Sequence, residues 1–473
     1  MGPSELKSEI KETFRGSWWC TGLFLTLSFT TVSSLSGGGD TASLTLCGNL
    51  ATFVRTAAFL AVALLSRRIV TLLERPPLLM GVAVAMGACF LARVAGTAAL
   101  GEGGIILTAG LLAVQNGCAA VLYLGWMELY AQIDLRHGLI FLCLVHLLSA
   151  FLSFCLFPFA GALAGVVLVA CLPLLSVAFL RQADRATRNA PYRQGERPSA
   201  AWSISPRPLV LLGTYTLTNT FLRSFLGVED KAFVLLGVCV AALAVLVLVF
   251  RCFNTFELKA LYQVSVPLLV AGAMFVLVGI PGAGVAAALC SNAAFTLFSI
   301  FITTAFCAIS FRYGVNALWL FGITQAALTA GSFVGAMLPW GESLLAMSDV
   351  GMTATVAVLV VLLAALSMLL VSDRDFETTW GVTPRKDSAG AVSALEEEEQ
   401  ESRRCAKVAR RYGLTRREEE ILLLLMRGYT LSHIASELYV AESTMKTHSR
   451  HIYRKVGVAN RQELQELLRA YPV

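Results

Sequence analysis

Charge is scarce in this sequence. Asp, Glu, Lys and Arg make up 14% of the 473 residues, against about 25% in an ordinary globular protein. Hydrophobic residues make up 56%, and the mean hydropathy is +0.70. Too few polar side chains remain to cover a soluble surface, and the same numbers exclude a secreted disulfide scaffold, a coiled coil and a disordered chain. Clustered cysteine is missing too. The 12 cysteines stand singly, with no CxxC pair and no Cys/His cluster, and eleven lie in or beside apolar segments. They read as small apolar packing residues, so neither a disulfide framework nor a metal site is expected. No Ser/His/Asp, Cys/His or phosphate-loop arrangement is present, so no enzyme and no cofactor are expected. What remains is an integral membrane protein.

Apolar runs near the length that spans a bilayer, about 20 residues each, recur along the chain. They fall at 17–36, 41–65, 78–96, 105–133, 138–161, 162–180, 209–228, 232–250, 260–280, 284–310, 315–338 and 350–371. Lys and Arg crowd into one set of alternate loops, sixteen against the single Lys231 on the other side. By the positive-inside rule both termini are cytoplasmic, in the cell membrane. Residues 1–16 form a cytoplasmic tail. The arginine-rich loop 181–208 divides the bundle into six plus six.

With that loop, residues 17–371 resemble the major facilitator superfamily. That family's acidic, glycine-containing signature between helices two and three is replaced here by Ser66-Arg67-Arg68-Ile69, which argues against transport.

Residues 372–402 carry 3 basic and 9 acidic side chains, a solvated acidic linker; residues 403–473 carry 14 basic and 7 acidic ones. A small basic module is a nucleic-acid-binding candidate. Thr415 and Glu418 predict a capping box, followed by Ile421, Leu422 and Leu425 on one face and a stop at Gly428. Thr430 opens a second helix with Ile434, Ala435 and Leu438 inward. A third helix runs from about 442 to 456 and ends at Gly457. Asn460 with Glu463 caps a fourth, ending near Ala470. Four short helices, the second and third joined by a tight turn, describe a helix-turn-helix unit.

The residues Leu414-Thr415-x-Arg417-Glu418-x-Glu420-Ile421-Leu422, Gly428-x-Thr430, Ile434-Ala435, Leu438, Thr444-Met445-Lys446-x-His448, Ile452 and Lys455-Val456-Gly457-Val458-x-Asn460-Arg461 resemble the LuxR-type DNA-binding domain over about 60 positions. The resemblance implies that Lys446, Thr447 and Arg450 read base edges in the major groove of promoter DNA. Ser443, Thr444, Arg454 and Lys455 are placed for phosphate. Leu464, Leu467 and Leu468 resemble the family's dimerisation helix, which implies a homodimer on DNA. Two positions depart from the family. Ala441 stands where an N-cap serine is common, costing about 1 kcal/mol, and Leu431-Ser432-His433 replaces Asn-Lys-Glu. His448 is expected to pack inward.

Ionisable groups inside spans are costly and mark functional sites. Arg55 lies mid-span in the second helix, and Glu128, near the cytoplasmic end of the fourth, is a candidate partner for it. Arg223 with Tyr215 and Asn219 forms a stripe on the seventh. Gln115, Asn116, Tyr123 and Trp126 line the fourth; Asn292, Trp319 and Gln325 add to the second half. Arg93, close to a span end, is expected to snorkel. From these groups the candidate ligand contacts are Arg55, Gln115, Tyr123, Trp126, Glu128, Tyr215, Asn219 and Arg223, which suit a small aromatic or anionic molecule between the halves.

The fold expected is all-α, a twelve-helix bundle followed by a four-helix LuxR-type domain. The arrangement resembles multi-pass LuxR-family regulators of gut Actinobacteria, several of which look to control genes for anaerobic metabolism of small aromatic compounds. It implies a one-component membrane sensor of transcription; the alternative is a transporter with a fused regulatory domain.

Overall fold

In the computed structural model, the residues described are 18–35, 41–66, 68–69, 71–100, 104–159, 162–188, 202–226, 231–252, 258–278, 282–344, 349–371, 382–384, 404–426, 431, 434 and 442–470. The chain divides into two compact units, one of residues 1–199 and 203–383, the other of 200–202 and 384–473.

In the larger unit, the apolar runs form helices because the hydrocarbon layer offers no partner for a backbone amide or carbonyl, and a helix satisfies both internally. These are α1 (Leu23–Leu35), α2 (Thr41–Leu65), α3 (Pro76–Leu100), α4 (Ile105–Tyr130), α5 (Leu135–Leu156) and α6 (Leu163–Thr187) in the first half. The second half holds α7 (Pro206–Leu226), α8 (Lys231–Cys252), α9 (Lys259–Val278), α10 (Ala283–Tyr313), α11 (Ala317–Leu344) and α12 (Asp349–Val371). Among the described residues eight of these are long and apolar enough to cross a membrane, and two shorter apolar helices occur at Leu235–Arg251 and Ala354–Ser367. The break expected near Gly161 is made by a 3-10 turn at Phe157–Phe159. Helix α6 runs on to Thr187, two turns into what the sequence suggests is loop.

Within the halves, α2 packs on α4, α3 on α6, α7 on α11 and α9 on α10; across them, α2 meets α11 and α5 meets α8. A shift of six helices exchanges these two cross-half pairs, as two halves of like design require. Small residues permit the close approach. A Cβ on Gly322 of α11 would stand 2.7 Å from the Ala63 Cβ and 2.9 Å from the Phe59 carbonyl oxygen of α2. A two-stranded sheet pairs β1 (Trp202–Ile204), between α6 and α7, with β2 (Val382–Pro384), beyond α12. The rest of the acidic linker lies outside the described residues.

The C-terminal unit contains α13 (Arg416–Met426), α14 (Glu442–Val456) and α15 (Arg461–Ala470). Residues 404–411 are also helical, an element the sequence reading did not anticipate; its Cys405 and Val408 enter the core beside Ile421, Leu425, Met445 and Ile452. The expected second helix falls largely outside the described residues, with Leu431 and Ile434 helical and Ile434 in the core. Gly457, at φ 81°, ends α14 in the left-handed conformation that glycine adopts without steric cost.

Candidate nucleic-acid interface and intramembrane polar site

Two side-chain boxes fix the starts of α13 and α15. The Thr415 amide donates to Glu418 Oε2 at 2.7 Å and the Glu418 amide to Thr415 Oγ1 at 3.3 Å. The Glu463 amide donates to Asn460 Oδ1 at 2.9 Å, while Glu463 accepts from the Ala459 amide at 2.8 Å. Each box satisfies backbone donors that the first helical turn leaves open.

Between them α14 is strongly two-sided. Met445, Ser449, Ile452 and Val456 are buried, whereas Lys446, Thr447, Arg450 and Arg454 are exposed. At 100° per residue the exposed set covers one third of the helix circumference, well away from the core side. A helix presenting Lys, Thr and Arg on one face is suited to the major groove. His448 is half-buried at the flank. The side chains of Ser443 and Thr444 lie outside the described residues.

Lys455 is engaged within its own unit. Its ammonium lies 2.6 Å from Glu418 Oε2 and donates to the Gly413 carbonyl at 3.2 Å. Burial alone would raise the Glu418 carboxyl. The Lys455 hydrogen bond, with the amide and hydroxyl of Thr415, outweighs it and holds the carboxyl below its ordinary value. Leu464 and Leu468 are 0% exposed in the unit's core, so their contacts are made inside this chain, and Leu467 is partly buried against that core.

In the larger unit the candidate ligand residues fall into separate places. Tyr123 of α4 accepts a hydrogen bond from Gln325 Nε2 of α11 at 3.1 Å and meets the Phe59 ring of α2 edge-on at 6.1 Å. Close by, the Thr56 and Thr329 hydroxyls meet at 2.8 Å, a cross-half contact sequence reading missed because threonines in spans most often bond their own helix. Arg55 is half-buried, with its Nε buried and without a hydrogen-bond partner. Tyr123, Gln325, Phe59 and Arg55 therefore gather where α2, α4 and α11 converge.

The remaining candidates stand elsewhere. Gln115 Nε2 donates to Ser33 Oγ of α1 at 2.7 Å. Arg93, 2% exposed, donates to the Ser33 carbonyl and lies 5.5 Å from the centre of the Phe90 ring. The snorkelling expected of Arg93 is not observed, because α3 continues to Leu100 and the guanidinium finds its acceptor inside. Trp126 Nε1 donates to Ser176 Oγ of α6 at 3.0 Å. Glu128 accepts the amides of Leu72 and Leu73 at 2.8 and 3.2 Å and so braces the segment between α2 and α3. Tyr215 stacks on Phe298 of α10 at 3.8 Å. Asn219 is buried with its Oδ1 unpartnered, and Arg223 is exposed. Asn292 bonds its own helix at the Ala288 carbonyl, 2.7 Å. Among the described residues no group of His, Cys, Asp and Glu side chains could hold a metal ion.

Residues 413–468 match the sequence model of the bacterial regulatory proteins of the luxR family. The C-terminal unit thus carries a LuxR-family DNA-binding domain. Fifty residues of the chain are 49% identical to the HTH-type transcriptional regulator MalT of Yersinia pestis (strain Pestoides F) and 48% identical to MalT of Serratia proteamaculans (strain 568). Those 50 residues are 11% of this chain and 6% of MalT, so the chain spans a small fraction of the length of these relatives. The larger unit is similar in fold to solved transporters. A bacterial homologue of the iron transporter ferroportin in an outward-facing state aligns at a TM-score of 0.55 and 12% identity, over 76% of this chain and 99% of that one. The human organic anion transporter MFSD10 aligns at 0.54 and 14%, over 75% and 99%. The major facilitator superfamily proton:xylose symporter XylE aligns at 0.51 and 11%, over 80% and 99%. At such identities the likeness is one of fold. The chain fuses a membrane domain of major-facilitator fold to a LuxR-family domain.

Proposed function

We propose that the protein is a membrane-embedded, one-component transcription regulator whose helical bundle senses a small molecule. The observation that carries this reading is the exposed face of α14 in a LuxR-family domain joined to an apolar bundle with buried polar groups between its halves. Lys446, Thr447 and Arg450 read base edges; Arg454 meets phosphate, with Ser443 and Thr444 at the helix start. Lys455 serves the fold through Glu418 first. DNA binding pairs two copies about a two-fold axis, with Leu467 the most available of the three leucines in α15.

All twelve helices cross the cell membrane in this reading, and the sixteen-to-one loop bias places both termini and the DNA-binding domain in the cytoplasm. A ligand held by Arg55, Tyr123 and Gln325 changes how the halves pack. Gln115, Trp126, Glu128 and Tyr215 position the helices around it, and Asn219 and Arg223 on α7 are further candidate contacts. The pairing of β1 with β2 supports the transmission step, since it joins the segment between the halves to the chain beyond α12.

A promoter reporter driven by the full-length protein, exposed to a panel of small aromatic and anionic metabolites, tests the reading. A response abolished in both Arg450→Ala and Arg55→Ala supports it. Promoter binding with no response to any compound rejects the sensing role.

A further inference from the structure

Arg55 narrows the chemistry of the ligand. Leu46 and Leu64 stand nine residues before and after it on α2, and nine residues at 100° each amount to a half-turn offset. Both leucines are exposed, together with Leu50, Phe53 and Leu60, which marks the lipid-facing side of the helix. Arg55 therefore projects to the opposite side, into the bundle.

The register of the cross-half contacts sets its neighbours. Thr56, the next residue, meets Thr329 of α11. One turn along each helix, Phe59 and Gln325 both meet Tyr123. Arg55, Tyr123 and Gln325 thus lie within about one helical turn, ~5.4 Å of rise, of one level. On α4, Gly117 packs beside Val54, which brings Asn116 to the level of Arg55. The groups come from both halves.

Among the described residues no carboxylate pairs with Arg55, and its Nε has no hydrogen-bond partner. A guanidinium withdrawn from water is costly unless an anion faces it. We propose that this site takes a small organic carboxylate, whose two oxygens accept the parallel hydrogen bonds a guanidinium offers. Its body lies against the Phe59 and Tyr123 rings, and Gln325 and Asn116 supply amide hydrogen bonds. This inference rests on the sensing role proposed above.

The test uses full-length protein in lipid nanodiscs and three acid–amide pairs: benzoate and benzamide, phenylacetate and phenylacetamide, butyrate and butyramide. Thermal unfolding and titration calorimetry are read for each. At least one acid raises the melting temperature while its amide does not. Its affinity falls by at least about 30-fold in Arg55→Ala, the loss expected when one partner of a buried charge pair is removed. Arg55→Lys, which keeps the charge but not the fork, loses part of the affinity and guards against a folding failure of the alanine variant. Arg450→Ala leaves binding unchanged. Equal stabilisation by acid and amide overturns the proposal, as does an acid effect that survives in Arg55→Ala, stabilisation by chloride alone, or no stabilisation by any acid. The promoter reporter separates the two claims. An amide that drives the promoter through Tyr123 defeats the carboxylate and leaves the sensor standing. An acid bound through Arg55 that never changes the promoter defeats the sensor and leaves the site.

Discussion

The Gln325 side chain of α11 donates a hydrogen bond to the Tyr123 hydroxyl of α4 at 3.1 Å, and so joins the two halves of the bundle inside the membrane. Tyr123→Phe removes the acceptor and keeps the ring against Phe59. It is expected to lower stability by about 1 kcal/mol, the net worth of a typical hydrogen bond, and to alter the ligand response of the promoter. Thermal unfolding in nanodiscs with the reporter checks both. An unchanged reporter at reduced stability would make this contact a packing feature only.

The α2–α11 seam admits no added bulk at Gly322, where a Cβ meets Ala63 at 2.7 Å. Gly322→Val is expected to force the helices apart at a cost of about 1–3 kcal/mol, the usual penalty of overpacking. Gly284, where an added Cβ has open space, is the control: Gly284→Ala should leave the melting temperature unchanged or slightly raised.

On α14 the two kinds of DNA contact proposed above should separate by salt dependence. Arg450→Ala or Lys446→Ala should cost about 1–3 kcal/mol of discrimination at one operator position. Arg454→Ala should weaken all sequences alike and reduce the slope of log affinity against log salt by about one. Fluorescence anisotropy on full-length protein with cognate and mismatched duplexes distinguishes the two.

The ion pair of Glu418 and Lys455 is expected to make the LuxR-family domain acid-sensitive. With the folded-state carboxyl below its ordinary value, its stabilisation is complete above the ordinary carboxylate range and is lost as pH falls through the lowered folded value. Hydrogen exchange of the α13 amides should accelerate over that window. In Glu418→Gln the acceleration should already be present at neutral pH. Lys455→Ala should loosen the domain at neutral pH without changing the salt slope of DNA binding. A reduced slope with unchanged exchange would return Lys455 to the phosphate backbone.

Much of this architecture is legible in the residues. The apolar runs become helices because the bilayer leaves them no other way to satisfy the backbone, and the boxes at Thr415–Glu418 and Asn460–Glu463 are local contacts that spacing alone specifies. The candidate sites were harder to read because their partners are distant in sequence. Arg93 meets Ser33 60 residues away, and Lys455 meets Glu418 37 residues away. The helix at 404–411 is masked in the sequence by Arg403 just before it and by Arg404, Lys407, Arg410 and Arg411 within it, although Cys405, Val408, Ala409 and Tyr412 repeat at helical spacing. Trp126 and Glu128 have the residue types of ligand contacts, yet each is held by a neighbouring helix or loop, which only the tertiary structure reveals.

Selection of genomic DNA fragments by the full-length protein in nanodiscs asks whether the α14 face reads DNA sequence. A small set of strongly enriched sites with two-fold symmetry, lost in Arg450→Ala, is the expected result. Recovery no greater than with empty nanodiscs, or the same fragments from Arg450→Ala as from the unaltered protein, would contradict it.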